Sequence, residues 1–173
     1  MNREENNCMY NRESEIDEKI EQYFIDEEND IVQYEKIPGK HFKHMTKEEI
    51  TYLLMMKTMS LRKGVIFSKH SIDRMRDRRI RKRDVIKALK TGQIIDYRYI
   101  DNSEIVTIRS CYLNRGNEQV YVVFALNKGK VITTYSNRHF AAKYKMSHLE
   151  RYEENYKIKI PEYYKKIIKF YHV

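Results

Sequence analysis

The stretch that decides the fold runs from residue 93 to residue 136 and reads QIIDYRYIDNSEIVTIRSCYLNRGNEQVYVVFALNKGKVITTYS. It holds four runs of β-branched and aromatic residues, at 93–100, 104–113, 119–127 and 130–136. That composition is typical of strands, and turn-forming Asn, Asp and Gly separate the runs. Because the connections are short, the pattern predicts a four-stranded antiparallel sheet.

Two short helices are predicted immediately before this sheet. Ser68 is a residue type that caps helix N-termini, and the helix after it is predicted to run to about Arg79. A second helix is predicted in RDVIKALKTG, residues 83–92, with Gly92 as its stop. Residues 65–136 are therefore predicted to form an α+β core, in which two short helices precede the sheet.

Helical N- and C-terminal extensions are predicted on both sides of this core. Residues 1–36 are predicted to form an acidic helical head, and residues 40–64 a helix that opens with a capping box at Thr46 and Glu49. Residues 137–173 are predicted to form a basic helical tail rich in Tyr and Lys. Two interpretations of the head remain open: a solvated acidic helix, or a segment that folds back over the basic body.

The charge of the chain is positive and unevenly distributed. The net charge is +9, with −8 in residues 1–36 and +17 in residues 37–173. A body of +17 favours a polyanionic partner such as RNA or DNA. No apolar run approaches the ~20 residues that a membrane span needs, and the polar, acidic start is unlike a secretory signal. We therefore expect a cytoplasmic protein without a membrane partner.

Residues 69–84, KHSIDRMRDRRIRKRD, are the densest cluster of candidate site residues. On a helix, His70, Arg74 and Arg78 fall on one side at i, i+4 and i+8. Ile72 and Met75 fall on the opposite side, where we expect them to be buried. Neighbouring cations repel one another on an isolated helix, and a bound phosphate would offset that repulsion.

This combination of residues suits cleavage of an RNA phosphodiester without a metal. The 2′-OH attacks phosphorus, a histidine moves protons near neutral pH, and arginines stabilise the charge of the phosphorane-like transition state. A simpler interpretation is that His70 bonds a carboxylate or carbonyl at the helix start while the arginines pair with aspartates. Two cysteines and no cluster with metal-ligand spacing predict neither a metal site nor a cofactor.

A wider motif includes this helix. It reads His70-x-x-x-Arg74-Met75-x-x-Arg78-x-Ile80, then Val85, Ala88-Leu89 and Gly92, and finally the strand VITTY. The motif resembles a family of small toxin-like domains of unknown function, and that family resembles the barnase–EndoU–colicin–RelE group (BECR, RelE-like fold) of metal-independent ribonuclease toxins. The resemblance covers roughly residues 65–136, under half of the chain.

The resemblance implies a set of site residues. His70 and Arg74 would be catalytic or phosphate-binding, and Thr133 and Tyr135 would project from the last strand into the same site. The spacing of two between Thr133 and Tyr135 places them on one sheet face. Nearby cations would bind nucleic acid: Lys69, Arg78, Arg81 and Arg109. The chain departs from the family at Arg79, where a small residue is usual, and at Arg81-Lys82, where Ser or Thr usually caps the second helix.

Three functions are consistent with these observations. The first is an RNA-cleaving, toxin-like hydrolase from a toxin–antitoxin pair, a mobile element or a phage-associated system, with a cognate antitoxin or immunity protein as a further partner. The second is a nucleic-acid-binding module that does not cut, and uses surface tyrosines to stack bases. Its candidate tyrosines are Tyr97, Tyr99, Tyr112, Tyr121 and Tyr144. The third is a protein-interaction inhibitor of a nucleic-acid-handling machine.

Overall fold

The structure, a computed structural model, describes residues 18–20, 22, 38–137, 152 and 155–171. The chain divides into two compact units, Met1–Glu35 and Lys36–Val173. In the first unit, residues 18–20 and 22 are helical. The remainder of the acidic head predicted for residues 1–36 lies outside the described residues.

The second unit is built on a six-stranded sheet. Its strands are β1 (Gly39–His41), β2 (Ile66–Phe67), β3 (Gln93–Ile100), β4 (Ser103–Leu113), β5 (Gln119–Ala125) and β6 (Lys130–Asn137). They lie in the order β1-β3-β4-β5-β6-β2. All neighbours are antiparallel except β2, which runs parallel to β6 at the edge of the sheet.

Four α-helices and a short 3₁₀-helix accompany the sheet in the part of the chain that the structure describes. The α-helices are α1 (Lys47–Lys63), α2 (Lys69–Asp77), α3 (Lys82–Thr91) and α4 (Glu162–Tyr171), and the 3₁₀-helix is Phe42–His44. The α+β class, the two short helices before the sheet and the four long strands are confirmed. The capping box at the start of α1 is also present, with the Thr46 and Glu49 side chains bonding each other's backbone N–H.

The predicted count of four strands is wrong, because β1 and β2 also join the sheet. A strand of two or three residues is too short to show the alternation that identifies strands in a sequence. Residues 40 and 41 therefore belong to β1. Within the helix predicted over 40–64, only the residues of α1 are α-helical. In the helical tail predicted over residues 137–173, residues 162–171 form α4, whereas residues 155–161 are not helical and most of residues 138–154 lie outside the described residues.

Helices α1 and α3 cover one face of the sheet, which we call the core face. It presents Val106 and Ile108 of β4 beside Val122 and Phe124 of β5, all of them buried. Helix α3 turns its apolar side toward this face, burying Val85, Ala88 and Leu89 as expected from their spacing. The helix then ends at Gly92, where a Cβ would lie 2.6 Å from the Arg109 carbonyl oxygen, so the close approach of α3 to β4 requires glycine.

The tail is attached to the sheet and to α1 by buried polar groups. Glu49 forms a buried ion pair with Lys40 of β1 at 2.9 Å and accepts a hydrogen bond from the backbone N–H of Ile158 at 3.1 Å. The Tyr152 hydroxyl donates to the buried Asp96 carboxylate at 3.0 Å. Buried charges are tolerated where they are paired and hydrogen-bonded in this way.

Candidate nucleic-acid site on helix α2 and strand β6

Helix α2 is fixed against β6 through the residue that precedes it. The Ser68 backbone N–H donates to the Val131 carbonyl at 3.1 Å, and its hydroxyl donates to the Ile132 carbonyl at 2.8 Å. The same hydroxyl accepts from the Ser71 N–H at 3.0 Å and so caps the helix. The β5–β6 pairing shifts register around Ile132, and such a bulge leaves a residue outside the ladder. Ser68 thus uses a carbonyl at this bulge to hold the first turn of α2.

The side of α2 that is buried differs from the predicted one. Ser71 is fully buried, Met75 packs partly buried against the core, and Ile72 is 48% exposed. The expected burial of Ile72 is therefore wrong. The buried side of α2 is centred near Ser71, between Met75 on one flank and the candidate site residues on the other.

His70, Arg74 and Arg78 lie at that other flank and are all half-buried. Nε2 of His70 and Nε of Arg74 are buried atoms, and each of the three residues interacts with other parts of the protein. They are therefore built into the surface where α2 packs on β6, rather than extended into solvent.

Strand β6 presents Thr133 and Tyr135 on the face of the sheet opposite the core face, which we call the polar face. Their partners across β5 are Val123 and Tyr121, which are also two residues apart. Thr133 is 1% exposed, and its hydroxyl has no hydrogen-bond partner among the described residues. Tyr135 is half-buried. Thr133 therefore lies beneath the surface, whereas Tyr135 reaches it.

Arg109 is connected to Tyr135 through Tyr121. The three residues lie side by side on β4, β5 and β6. Arg109 donates to the Gln93 side chain at 2.9 Å and hydrogen-bonds Tyr121. The Tyr121 ring stacks on Tyr135, with centroids 4.9 Å apart and planes 5° from parallel. Burial raises the pKa of the Tyr121 hydroxyl, and Arg109 partly offsets that increase.

Tyr121 was missed as part of this site by the sequence reasoning, which assigned it to a base-stacking surface. It is 1% exposed and so stacks on a neighbouring ring instead of on a base. Tyr97 is buried as well, while Tyr99 and Tyr112 are exposed and Tyr144 lies outside the described residues. The signal that could have found Tyr121 is the strand register, which places it between Arg109 and Tyr135.

Lys69 and Arg81, two of the cations predicted to bind RNA, differ in their surroundings. Lys69 is exposed at the start of α2. Arg81 precedes α3 and forms a two-pronged ion pair with Asp84, at 2.7 and 2.9 Å. Its guanidinium is therefore engaged in a local structural contact.

Helix α3 presents a basic face that the sequence reasoning did not single out. Its exposed cations fall within less than half of the helix circumference. They are Lys82, Arg83, Lys87 and Lys90. A surface of this kind attracts a phosphate backbone.

The described residues contain neither a candidate metal site nor a candidate membrane span. No group of three or more His, Cys, Asp or Glu side chains is placed there to hold a metal ion. None of the described helices is long and apolar enough to cross a bilayer.

Comparison with known proteins identifies the domain that carries these residues. Residues 67–136 match the family described as "Domain of unknown function (DUF4258)". This stretch contains α2, α3 and the strands β3 to β6, and it is a DUF4258 domain. The resemblance to a family of domains of unknown function is confirmed to that extent. Neither the curated proteins nor the solved structures gave a match to the chain.

Proposed function

We propose that this protein is a metal-independent, toxin-like endoribonuclease of the BECR type, with its site on helix α2 and strand β6. One observation carries the proposal. His70 and Arg74 lie on a helix, and Arg78 ends it, and Ser68 fixes this helix against the strand that carries Thr133 and Tyr135. Groups held rigidly in this way can stabilise a developing charge without reorganising.

The proposed reaction is an internal phosphoryl transfer in RNA. The ribose 2′-oxygen forms a bond to phosphorus as the bond from phosphorus to the 5′-oxygen breaks, which yields a 2′,3′-cyclic phosphate and a 5′-hydroxyl. His70 takes the proton from the 2′-hydroxyl, or gives one to the leaving 5′-oxygen. Arg74, supported by Arg78, bonds the equatorial oxygens of the phosphorane, where planar guanidinium groups bind in two-pronged fashion.

Residues of β6 have different roles in this proposal because their exposure differs. Tyr135 reaches the surface and is the candidate for the second proton transfer, while its stack on Tyr121 sets the ring orientation. Thr133 is buried beneath the surface, so in this proposal it is a positioning residue that packs under the site and does not touch the RNA. Arg109 hydrogen-bonds Tyr121 and so helps to hold the ring on which Tyr135 stacks.

The charge of the body supports RNA as the substrate class. Residues 37–173 carry +17, and the basic face of α3 is available for the phosphate backbone of a bound strand. A toxin of this kind acts in the cytoplasm and requires a cognate antitoxin or immunity protein, which are further parts of the proposal.

The test separates cleavage from binding. Wild type, His70→Ala and Arg74→Lys are incubated with total RNA in EDTA at low salt, and RNA binding is measured in parallel by native gel. His44→Ala is the matched control, because His44 is an exposed histidine on the 3₁₀-helix, away from α2. We expect wild type and His44→Ala to cut, and the other two to bind RNA while cutting at most about one hundredth as fast. Equal cleavage by all four would remove His70 and Arg74 from the proposal.

A second candidate function is RNA binding without cleavage, and the basic face of α3 favours it. Four exposed cations on one helix face suffice for binding that weakens steeply with salt. This candidate gains support if wild type shifts RNA in a native gel but makes no fragments, and if Lys87→Gln with Lys90→Gln weakens the shift while His70→Ala does not.

A further inference from the structure

A cavity lies at the turn that joins β3 to β4 and has no part in the proposed ribonuclease site. Its volume is about 270 Å³. Tyrosines from three different parts of the chain form much of its wall, around one glutamate and one lysine. The residues of interest are Tyr52, Tyr97, Tyr99, Glu104, Tyr156 and Lys159.

Glu104 is a half-buried carboxylate within this ring of tyrosines. The Tyr52 hydroxyl donates to both of its oxygens at 3.1 Å, and the Tyr97 hydroxyl donates to Oε1 at 3.3 Å. Burial raises the pKa of Glu104, and these hydroxyls oppose the increase only in part. A carboxylate has about four lone-pair positions, so Glu104 retains capacity for another donor.

The hydrogen-bond directions make the cavity rich in acceptors. The Tyr52 and Tyr97 hydroxyls donate their hydrogen bonds to Glu104, and the Tyr99 hydroxyl donates to the Asn102 side chain at 3.3 Å. The oxygen lone pairs of these tyrosines are thus left as acceptors beside the carboxylate. The aromatic rings add electron-rich faces that attract cations.

We propose that this cavity binds a guanidinium group. A guanidinium is planar, permanently charged and presents five N–H donors, which matches a carboxylate surrounded by hydroxyl acceptors and ring faces. The group could come from an arginine side chain of a protein or from a free guanidinium compound. Lys159 also lines the cavity but is exposed, so water screens the repulsion between its ammonium and a bound guanidinium.

The test measures binding of three probes by titration calorimetry. The probes are ethylguanidinium, acetyl-arginine amide and acetyl-citrulline amide, the last being a neutral isostere of the second. We expect saturable binding of both guanidinium probes and none of the citrulline probe. Equal affinity for the two guanidinium probes identifies the group alone as the ligand, whereas tighter binding of the arginine amide identifies a peptide arginine.

The variants test the role of Glu104. Glu104→Gln keeps an acceptor for Tyr52 but removes the charge, and it should weaken guanidinium binding by about tenfold or more, since charge-assisted bonds are roughly twice as strong as neutral ones. Glu48→Gln, an equal change at an exposed position of α1, should bind as wild type does. Saturable citrulline binding, or unchanged affinity in Glu104→Gln, would overturn the proposal.

A pH titration of wild type keeps the test decisive if Glu104→Gln does not fold. The guanidinium probes and Lys159 stay charged in acid, and the surrounding tyrosines stay protonated. Affinity should therefore fall as the pH drops through the raised pKa of Glu104. Affinity that is constant down to about pH 4 would exclude Glu104 as the recognition group. The proposed RNA cleavage does not involve Glu104 or this cavity. Failure of the guanidinium proposal therefore leaves the ribonuclease proposal standing.

Discussion

Replacing Ser68 by alanine removes the side-chain link between helix α2 and strand β6 and leaves the backbone bond from Ser68 to Val131 in place. The hydroxyl makes two bonds, one to the Ser71 N–H that caps the helix and one to the Ile132 carbonyl at the bulge. Losing the cap costs about 1 kcal/mol. Leaving the carbonyl without its donor costs roughly a further 1–3 kcal/mol, because Ser68 is buried and alanine offers no replacement. We expect a total loss of about 2–4 kcal/mol of unfolding free energy.

The assay is urea unfolding followed by circular dichroism, with Ser103→Ala as the matched control. Ser103 is as buried as Ser68, but its hydroxyl has no hydrogen-bond partner among the described residues. The control should therefore be neutral or slightly stabilising. If Ser68→Ala lost no more free energy than Ser103→Ala, the claim that Ser68 holds α2 on β6 would be refuted.

Two further predictions concern stability. Arg79 has φ of 53°, a left-handed conformation that costs non-glycine residues about 1–2 kcal/mol. Arg79→Gly should stabilise the protein by about 0.5–1 kcal/mol after the entropy of glycine is counted; Arg76→Gly, inside α2, should destabilise it, and equal effects would contradict the reasoning. Burial lowers the pKa of His41 below 6.5; the Asp96 carboxylate opposes this shift, and the charges of Lys43 and His44 add to it. The Nδ1 atom of His41 accepts a hydrogen bond from the Lys43 backbone N–H. The stability from neutral His41 is present above pH 6.5 and lost as the pH falls below it, so unfolding free energies at about pH 7.5 and 5.5 should differ more in wild type than in His41→Gln.

Local patterns in the sequence were sufficient to predict the long elements. The four runs between residues 93 and 136 alternate or stay apolar over seven or more residues, so the ends of their strands could be placed to within two residues. β1 and β2 could not, since they form only because β3 and β6 provide edges for pairing.

The sequence pattern grouped the candidate site residues, but it did not show what holds them in place. Helical spacing placed His70, Arg74 and Arg78 on one flank of α2, but it did not show that Ile72 would be exposed. The bulge at Ile132 that receives Ser68 has no signature in sequence spacing.

The cavity around Glu104 had no sequence signal either. Its tyrosines are separated by up to about one hundred residues of chain, and they meet only when α1, the β3–β4 hairpin and the tail pack together.

The measurement that most directly tests the ribonuclease proposal is the chemistry of RNA ends after incubation with the protein in EDTA. Internal attack by the 2′-hydroxyl predicts fragments with 2′,3′-cyclic phosphates and 5′-hydroxyls from wild type, and intact RNA from His70→Ala. Fragments with 5′-phosphates, fragments that form only when Mg²⁺ is added, or equal cleavage by His70→Ala would contradict the account.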